Sequence, residues 1–311
     1  SMFPADGRDA ETLLKNADIA MYAAKADGKN THRFYDNTLY DEIEQRLDNE
    51  RQLARALRED HFVVYYQPRV DTHDGRLVGM EALVRWMHPE RGLIPPDRFI
   101  PLAEETGMIV ELGKLVLQKV CAQIVRWEAE QQPVVPVSVN VSARQFDRGG
   151  VSSFIADCLK RYRIDPSLIE IELTESALMH DFDTVRREVE AISALGIQLH
   201  IDDFGTGYSS LSLLHKLNMQ VLKVDRSFTA QLCNGKGGEI FFSAIVSMAK
   251  ALQMRIVAEG VETEEQLRVL QKLGCNEIQG YLVSRPLPAN DIAVLARRTP
   301  LFESASMLAS A

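Results

Sequence analysis

From Phe62 to Arg298 short apolar runs alternate with longer amphipathic ones, and no other feature restricts the possible folds of this chain so strongly. Phe62 to Val70 and Leu77 to Trp86 read as strands, followed by helices over Pro96 to Glu105 and Glu111 to Glu130. Then come strand Val134 to Val141, helix Val151 to Tyr162, strand Leu168 to Thr174, helix Asp183 to Leu195, strand Ile197 to Asp203 and helix Ser209 to Leu217. The series ends with strand Val221 to Val224, helix Glu239 to Leu252, strand Arg255 to Glu259, helix Thr263 to Leu273, strand Glu277 to Val283 and helix Asn290 to Arg298. Strands separated by helices need crossover connections and make a mainly parallel sheet. About seven or eight such units favour an α/β fold of the closed (β/α)8, TIM-like kind over an open doubly wound sheet. The first two strands are joined by Thr72-His73-Asp74-Gly75, which leaves no room for a helix. The barrel is therefore expected to open with an antiparallel strand.

Before the barrel, Leu13, Leu14, Ala17, Ala20, Met21 and Ala24 recur at helical spacing and Gly28 follows as a stop. Asp41 to Glu59 is charged, with Ile43, Leu47, Leu53, Ala54 and Leu57 as its apolar side. It reads as a connecting helix, a solvated spacer or a regulatory signalling helix. The expected organisation is an N-terminal piece over 1–36, a connecting helix over 37–60, the barrel over 61–298 and a tail over 299–311. Ser1-Met2 reads as a cloning remnant, so a longer natural chain is expected.

The overall balance narrows the function. A net charge of -9 argues against a sequence-independent grip on a DNA or RNA polymer, which needs a basic face. Cys121, Cys158, Cys233 and Cys275 stand far apart with no CxxC pair, suggesting neither a zinc site nor a disulfide framework. A reducing, cytoplasmic setting fits, although a parent protein could be membrane-anchored through upstream domains. The most apolar helical run, Ile240 to Met254, contains Lys250 and is too short to span a bilayer, so no direct membrane contact is expected. Neither GxGxxG after an early strand nor GxxxxGK[ST] is present, which weakens dinucleotide and P-loop readings.

The chemistry lies in a repeated detail. Nearly every strand after the first carries an ionisable or amide residue inside or just after its apolar run: Glu81, Asn140, Glu172, Asp202 with Asp203, Lys223, Glu259 and Gln279. Any one of these could be a satisfied core polar group, and Asp203 could cap a following helix while Asp202 sits in water. In a parallel barrel, however, all strand C-terminal ends open on one face. Two carboxylates about 4 Å apart repel by roughly 4 kcal/mol at an effective dielectric of 20, so such convergence demands cations. The donors Glu81, Asn140, Glu172, Asp202, Asp203 and Glu259 offer only oxygen, which suits Mg²⁺ or Mn²⁺ rather than Zn²⁺. Adjacent aspartates would let one carboxylate bridge two ions, an arrangement suited to in-line displacement at phosphorus. Lys223 reads as an electrostatic group or as a Schiff-base nucleophile, and the surrounding acids favour the first. His200, deeper on the same strand face as Asp202, reads as structural.

Two resemblances sharpen this. Asp6-Gly7, Leu13-Leu14, Ala17-Asp18, Ala20-Met21-Tyr22, Ala24-Lys25, Gly28-Lys29-Asn30 and Arg33-Phe34-Tyr35 resemble the C-terminal end of a GGDEF, diguanylate cyclase, domain, whose signature itself is missing here. Tyr66-Gln67-Pro68, Glu81-Ala82-Leu83-Val84-Arg85-Trp86, Val139-Asn140-Val141-Ser142, Glu172-Leu173-Thr174-Glu175-Ser176, Asp202-Asp203-Phe204-Gly205-Thr206-Gly207, Lys223-Val224-Asp225, Glu259-Gly260-Val261-Glu262 and Gln279-Gly280-Tyr281 resemble an EAL-domain phosphodiesterase. This second resemblance implies a two-metal hydrolase that opens cyclic di-GMP to pGpG. Glu81, Asn140, Glu172 and Asp202 would hold one divalent cation and Asp202, Asp203 and Glu259 the other. Lys223 and Gln279 would orient the attacking water, and Glu259 would be a base or mainly a ligand. Gln67, Arg85 and Asp225 match substrate-contacting positions. Glu175 matches the group that steadies the loop after Asp203, where Gly205 and Gly207 would allow bending. The resemblance also implies a homodimer formed near that loop and the helix after Lys223. Valine at 224 and threonine at 229 depart from the usual pattern without touching the ligands. A non-catalytic cyclic di-GMP receptor, a Schiff-base lyase and a scaffold remain as alternatives.

Overall fold

The computed structural model describes every residue except 27–30, 148, 176, 178–181, 206–216, 234–235, 299 and 303–311. The chain divides into two compact units, Ser1–Asp60 and His61–Ala311.

The first unit is a helical pair. Helix α1 (Ala10–Ala26) and helix α2 (Asn37–Arg58) share a small core of Ala20, Ala23 and Leu39, with Ile19, Tyr35 and Ile43 packed against it. The Asp36 side chain accepts from the Thr38 backbone N–H at 2.9 Å and caps α2.

The second unit is the expected barrel. Strands β1 (Phe62–Asp71) and β2 (Leu77–His88) form a hairpin, and a short β3 (Gly92–Ile94) extends it. Helices α3 (Ile100–Thr106) and α4 (Ile109–Ala129) lead to strand β4 (Val137–Asn140). Next come α5 (Ala143–Asp147), α6 (Val151–Tyr162), β5 (Ile169–Thr174), α7 (Phe182–Ala194), β6 (Gln198–Phe204) and β7 (Val221–Val224). The unit finishes with α8 (Arg226–Thr229), α9 (Lys236–Ala251), β8 (Arg255–Ala258), α10 (Glu264–Leu273), β9 (Glu277–Gln279), β10 (Leu287–Pro288) and α11 (Ala289–Ala296). Around the barrel the order is β1-β9-β8-β7-β6-β5-β4-β2, closed by the β1–β2 pairing, with β3 and β10 as appended edges. Strand β1 runs antiparallel to both neighbours, and the pairs from β2–β4 to β8–β9 are parallel.

The differences from the sequence reading have local causes. The strand expected from Val134 begins only at Val137, because Pro133 and Pro136 offer no N–H to a ladder. The helix expected over Pro96 to Glu105 is split at Phe99, a fully buried ring between a short helical turn and α3. The strand expected to reach Val283 stops at Gln279, and the chain turns through Val283 N–H to Gly280 C=O at 3.1 Å. The helix expected over Ser209 to Leu217, and Gly207, lie in or mostly in 206–216, outside the described residues; most of the 299–311 tail is likewise outside them.

Strand β5 shows how the barrel is filled. Ile169, Ile171 and Leu173 are fully buried on one face, while Glu170 and Glu172 are buried on the other. Period-2 alternation thus sends the apolar residues toward the helices and the carboxylates into the barrel. The ends of β8 and β9 are stitched together by Val261 N–H to Gln279 C=O at 3.1 Å and Leu282 N–H to Val261 C=O at 2.9 Å. This approach is possible only because residue 280 is glycine: a Cβ there would strike the backbone N and O of Val261. Gly280→Ala is expected to cost about 1–3 kcal/mol in urea unfolding, the usual penalty of overpacking; an unchanged midpoint would show that the two strand ends separate freely.

Candidate active site

The C-terminal ends of the parallel strands meet around one side chain. Lys223 on β7 is fully buried, and its Nζ lies 2.6 Å from Glu172 Oε2, 2.7 Å from Glu259 Oε1, 3.1 Å from Asp202 Oδ1 and 3.3 Å from Glu81 Oε2. Burial alone would lower its pKa, but the four carboxylates outweigh burial and raise it well above the ordinary lysine value. Lys223 is therefore a fixed ammonium. A Schiff-base nucleophile needs the neutral amine, which this surrounding suppresses.

The acids form two overlapping trios. Ligand oxygens of Glu81, Glu172 and Asp202 lie within 4.8 Å of one another, as do those of Asp202, Asp203 and Glu259. Adjacent strand residues normally point to opposite faces. Here the β6–β7 register breaks between Ile201 and Phe204, and Asp203 takes φ 53°, in the left-handed region. That turn brings both aspartates to the same mouth, and the Asp203 N–H donates to Asp202 Oδ1 at 3.0 Å. Burial pushes the Asp202 carboxyl up to about 6, with Lys223 opposing and Glu172 and Glu81 adding. Burial and then Asp202 raise Asp203, and burial raises Glu259 well above its ordinary value. Lys223 is one positive charge against five carboxylates.

The amides hold the acids in place. Asn140 Nδ2 donates to Glu81 Oε1 at 2.7 Å, and Gln279 Nε2 donates to Glu81 Oε2 at 2.5 Å and to Gln67 Oε1 at 3.2 Å. Gln279 Oε1 is buried without a hydrogen-bond partner. Glu175 is not in the acid cluster; its Oε2 accepts from the Gly205 N–H at 3.0 Å and ties down the chain beyond β6. At Gly205, φ is +99° and a Cβ would meet the Phe228 ring at 2.6 Å, so glycine is required twice over.

A solvent-open cavity of about 550 Å³ stands over the cluster, lined by Gln67, Glu81, Asp202, Asp203, Asp225, Glu259 and Gln279 among others. Asp225 also caps α8 by accepting from the Ser227 N–H at 3.0 Å. Arg85 does not line this cavity: its guanidinium donates to Val84 C=O at 2.9 Å and lies 5.6 Å from the Tyr65 ring centroid. Sequence reasoning missed a buried layer beneath the cluster, made by Arg69, Glu170 and Glu277 together with His200. The signal was present, because Glu170 precedes Glu172 by two residues and so shares its inward face.

Residues 50–286 match the EAL domain family model. The chain is 41% identical over 292 residues to the bifunctional diguanylate cyclase/cyclic di-GMP phosphodiesterase MucR of Pseudomonas aeruginosa, covering 94% of this chain and 43% of that protein. It is also 41% identical over 288 residues to the cyclic di-GMP phosphodiesterase NbdA of the same organism, covering 93% of this chain and 37% of NbdA. The chain thus spans less than half the length of these relatives. Among solved structures, the PaMucR phosphodiesterase in complex with c-di-GMP is 43% identical, with a TM-score of 0.74 over 80% of this chain and 99% of that one. The EAL enzyme Bd1971, in its form bound to cAMP and cyclic di-GMP, is 26% identical, with a TM-score of 0.79 over 94% of this chain and 77% of that one. With the family model covering most of its length, the chain belongs to the EAL domain family.

Proposed function

We propose that this chain is a phosphodiesterase module that hydrolyses one phosphodiester of cyclic di-GMP to give linear pGpG, using two divalent cations, Mg²⁺ or Mn²⁺. The observation that carries this reading is the pair of carboxylate trios sharing Asp202 around the Lys223 ammonium. MucR and NbdA, the similar proteins named above, are described as cyclic di-GMP phosphodiesterases.

The residues present fit two hard cations: every donor is an oxygen, five carboxylates face one ammonium, and Gln279 Oε1 is a buried acceptor without a partner. Glu81, Asn140, Glu172 and Asp202 would hold one ion, and Asp202, Asp203 and Glu259 the other. When bound, the ions supply Lewis-acid polarisation of a phosphoryl oxygen and acidify water. Lys223, held ionised, supplies fixed positive charge where charge develops in the transition state. Gln279, with its Nε2 anchored on Glu81 and Gln67, presents Oε1 to accept a hydrogen bond from the attacking water. The new O–P bond forms as the opposite P–O3′ bond breaks, which leaves the 5′-phosphate on pGpG. Gln67, Asp225 and Arg85 contact substrate in this reading, Arg85 after reaching inward from the Tyr65 ring.

The proposal extends to the rest of the chain. Residues 1–36 are the end of a GGDEF domain, and 37–60 connect it to the barrel. The module works in the cytoplasm as a homodimer, and the exposed Ile240 and Phe241 on α9 offer apolar surface for that contact. Among the described residues no helix is long and apolar enough to cross a membrane.

Chromatography of cyclic di-GMP incubated with the chain and Mn²⁺ is expected to show pGpG, abolished by chelator and reduced at least ~100-fold by Glu81→Ala. Saturable nucleotide binding without product would replace hydrolysis with the receptor reading. A second expectation concerns the metal-free protein. An acid whose folded-state pKa exceeds its unfolded value binds its proton more tightly when folded, so stability falls as pH rises from about 4 to about 6. In chelator at pH 8, Asp202→Asn should therefore resist urea better than the parent by up to ~3 kcal/mol, and the gap should close below pH 4. Equal midpoints at pH 8 would mean that Lys223 already neutralises this carboxylate in full.

A further inference from the structure

Beneath the acid cluster the barrel interior holds charge where branched apolar side chains usually pack. Arg69 on β1 is 1% exposed, and its guanidinium lies 2.6 Å from Glu170 Oε2 and 2.7 Å from Glu277 Oε2. Its NH1 lies 3.4 Å from His200 Nδ1 and 4.0 Å from Glu172 Oε1. The opposite strand makes room for it: a Cβ at Gly79 would strike the guanidinium. Stability is a poor reason for such a layer. Buried ion pairs recover little more than their desolvation cost, and well-packed apolar residues of the same volume are often as good or better.

The layer does meet the acid cluster at one residue. Glu172 Oε2 faces upward to Lys223 at 2.6 Å, while Oε1 faces downward, 3.5 Å from His200 Nδ1 and without a hydrogen bond. His200 in turn stands between Glu172 and Glu170, with Nε2 3.4 Å from Glu170 Oε2. Arg69 itself is anchored from below, since Arg255 NH1 holds Glu277 Oε1 at 2.7 Å. Partners behind a ligating carboxylate fix its orientation and charge, and their loss typically costs about 10–100-fold in metal affinity.

We infer that Arg69, acting with His200, is a positioning residue that fixes the Glu172 carboxylate from beneath for a divalent cation. The inference rests on the metal-dependent reading proposed above.

The test is direct Mn²⁺ binding, measured by calorimetry or paramagnetic resonance without nucleotide. Arg69→Met combined with Glu170→Gln and Glu277→Gln removes the cation without stranding its partners. This variant is expected to bind Mn²⁺ about 10–100-fold more weakly. Its KM for cyclic di-GMP at saturating Mn²⁺ should not change, and Arg69→Lys should restore most of the affinity. If the triple variant does not fold, His200→Gln, which leaves Arg69 paired with Glu170 and Glu277, decides by the same readout. Mn²⁺ affinity equal to the parent's in a folded variant, whatever its melting temperature, overturns the inference alone. A parent chain that binds no Mn²⁺ overturns the metal-dependent reading and this inference with it.

Discussion

The ammonium of Lys223 among Glu81, Glu172, Asp202 and Glu259 is the interaction on which the rest of the site depends. These residues come from β2, β5, β6, β7 and the end of β8, and only a closed barrel brings the five to one point. At separations near 3 Å each contact is strong in a buried setting, and no rearrangement of one strand can relax it without stranding another charge. The pairing therefore fixes strand ends as well as charge. Further out, Asn140 and Gln279 extend the hold on Glu81, so that β4 and β9 are tied to the same centre.

The antiparallel β1 matters for a related reason. It closes the ring between β2 and β9, and its reversed direction opposes Gln67 to Glu81 and Arg69 to Gln279 in register. One strand thereby supplies an amide to the mouth and a guanidinium to the layer beneath it, two residues apart on one face.

Much of this was legible in the sequence because polar residues interrupted otherwise apolar strands. Glu81, Asn140, Glu172, Asp202, Lys223, Glu259 and Gln279 all stood out that way, and the structure brings all of them together. The short link at Thr72 to Gly75 likewise announced the hairpin. Other features were marked less plainly. Arg69, Glu170 and Glu277 lie two residues from Gln67, Glu172 and Gln279 and so share their inward faces, but closure of the barrel is what shows those faces buried. The left-handed turn at Asp203 was hidden too, because aspartate tolerates that conformation without requiring it. Strand ends at Val137 and Gln279 were blurred by apolar residues that continue past the last ladder bond.

The two levels form one column of alternating charge along the barrel. From the far end it runs Arg255, Glu277, Arg69, Glu170 and Glu172, Lys223, and then Asp202, Asp203 and Glu259 at the mouth. Burial raises the pKa of Glu170, Glu172, Asp202, Asp203 and Glu259, so the sign of each net shift among these five depends on how many positive groups lie alongside. Glu170, against Arg69 and His200, is held down to about 2, and Glu172, against Lys223 and His200, is lowered as well. At the mouth the balance reverses: Asp202 and Glu259 share one ammonium already engaged by Glu172, Asp203 gains still less from it, and all three are raised. The protein compensates the deep acids more fully than the outer ones. The least compensated carboxyls thus lie at the rim of the cavity, where a cation arriving from solvent would gain most and disturb the interior least.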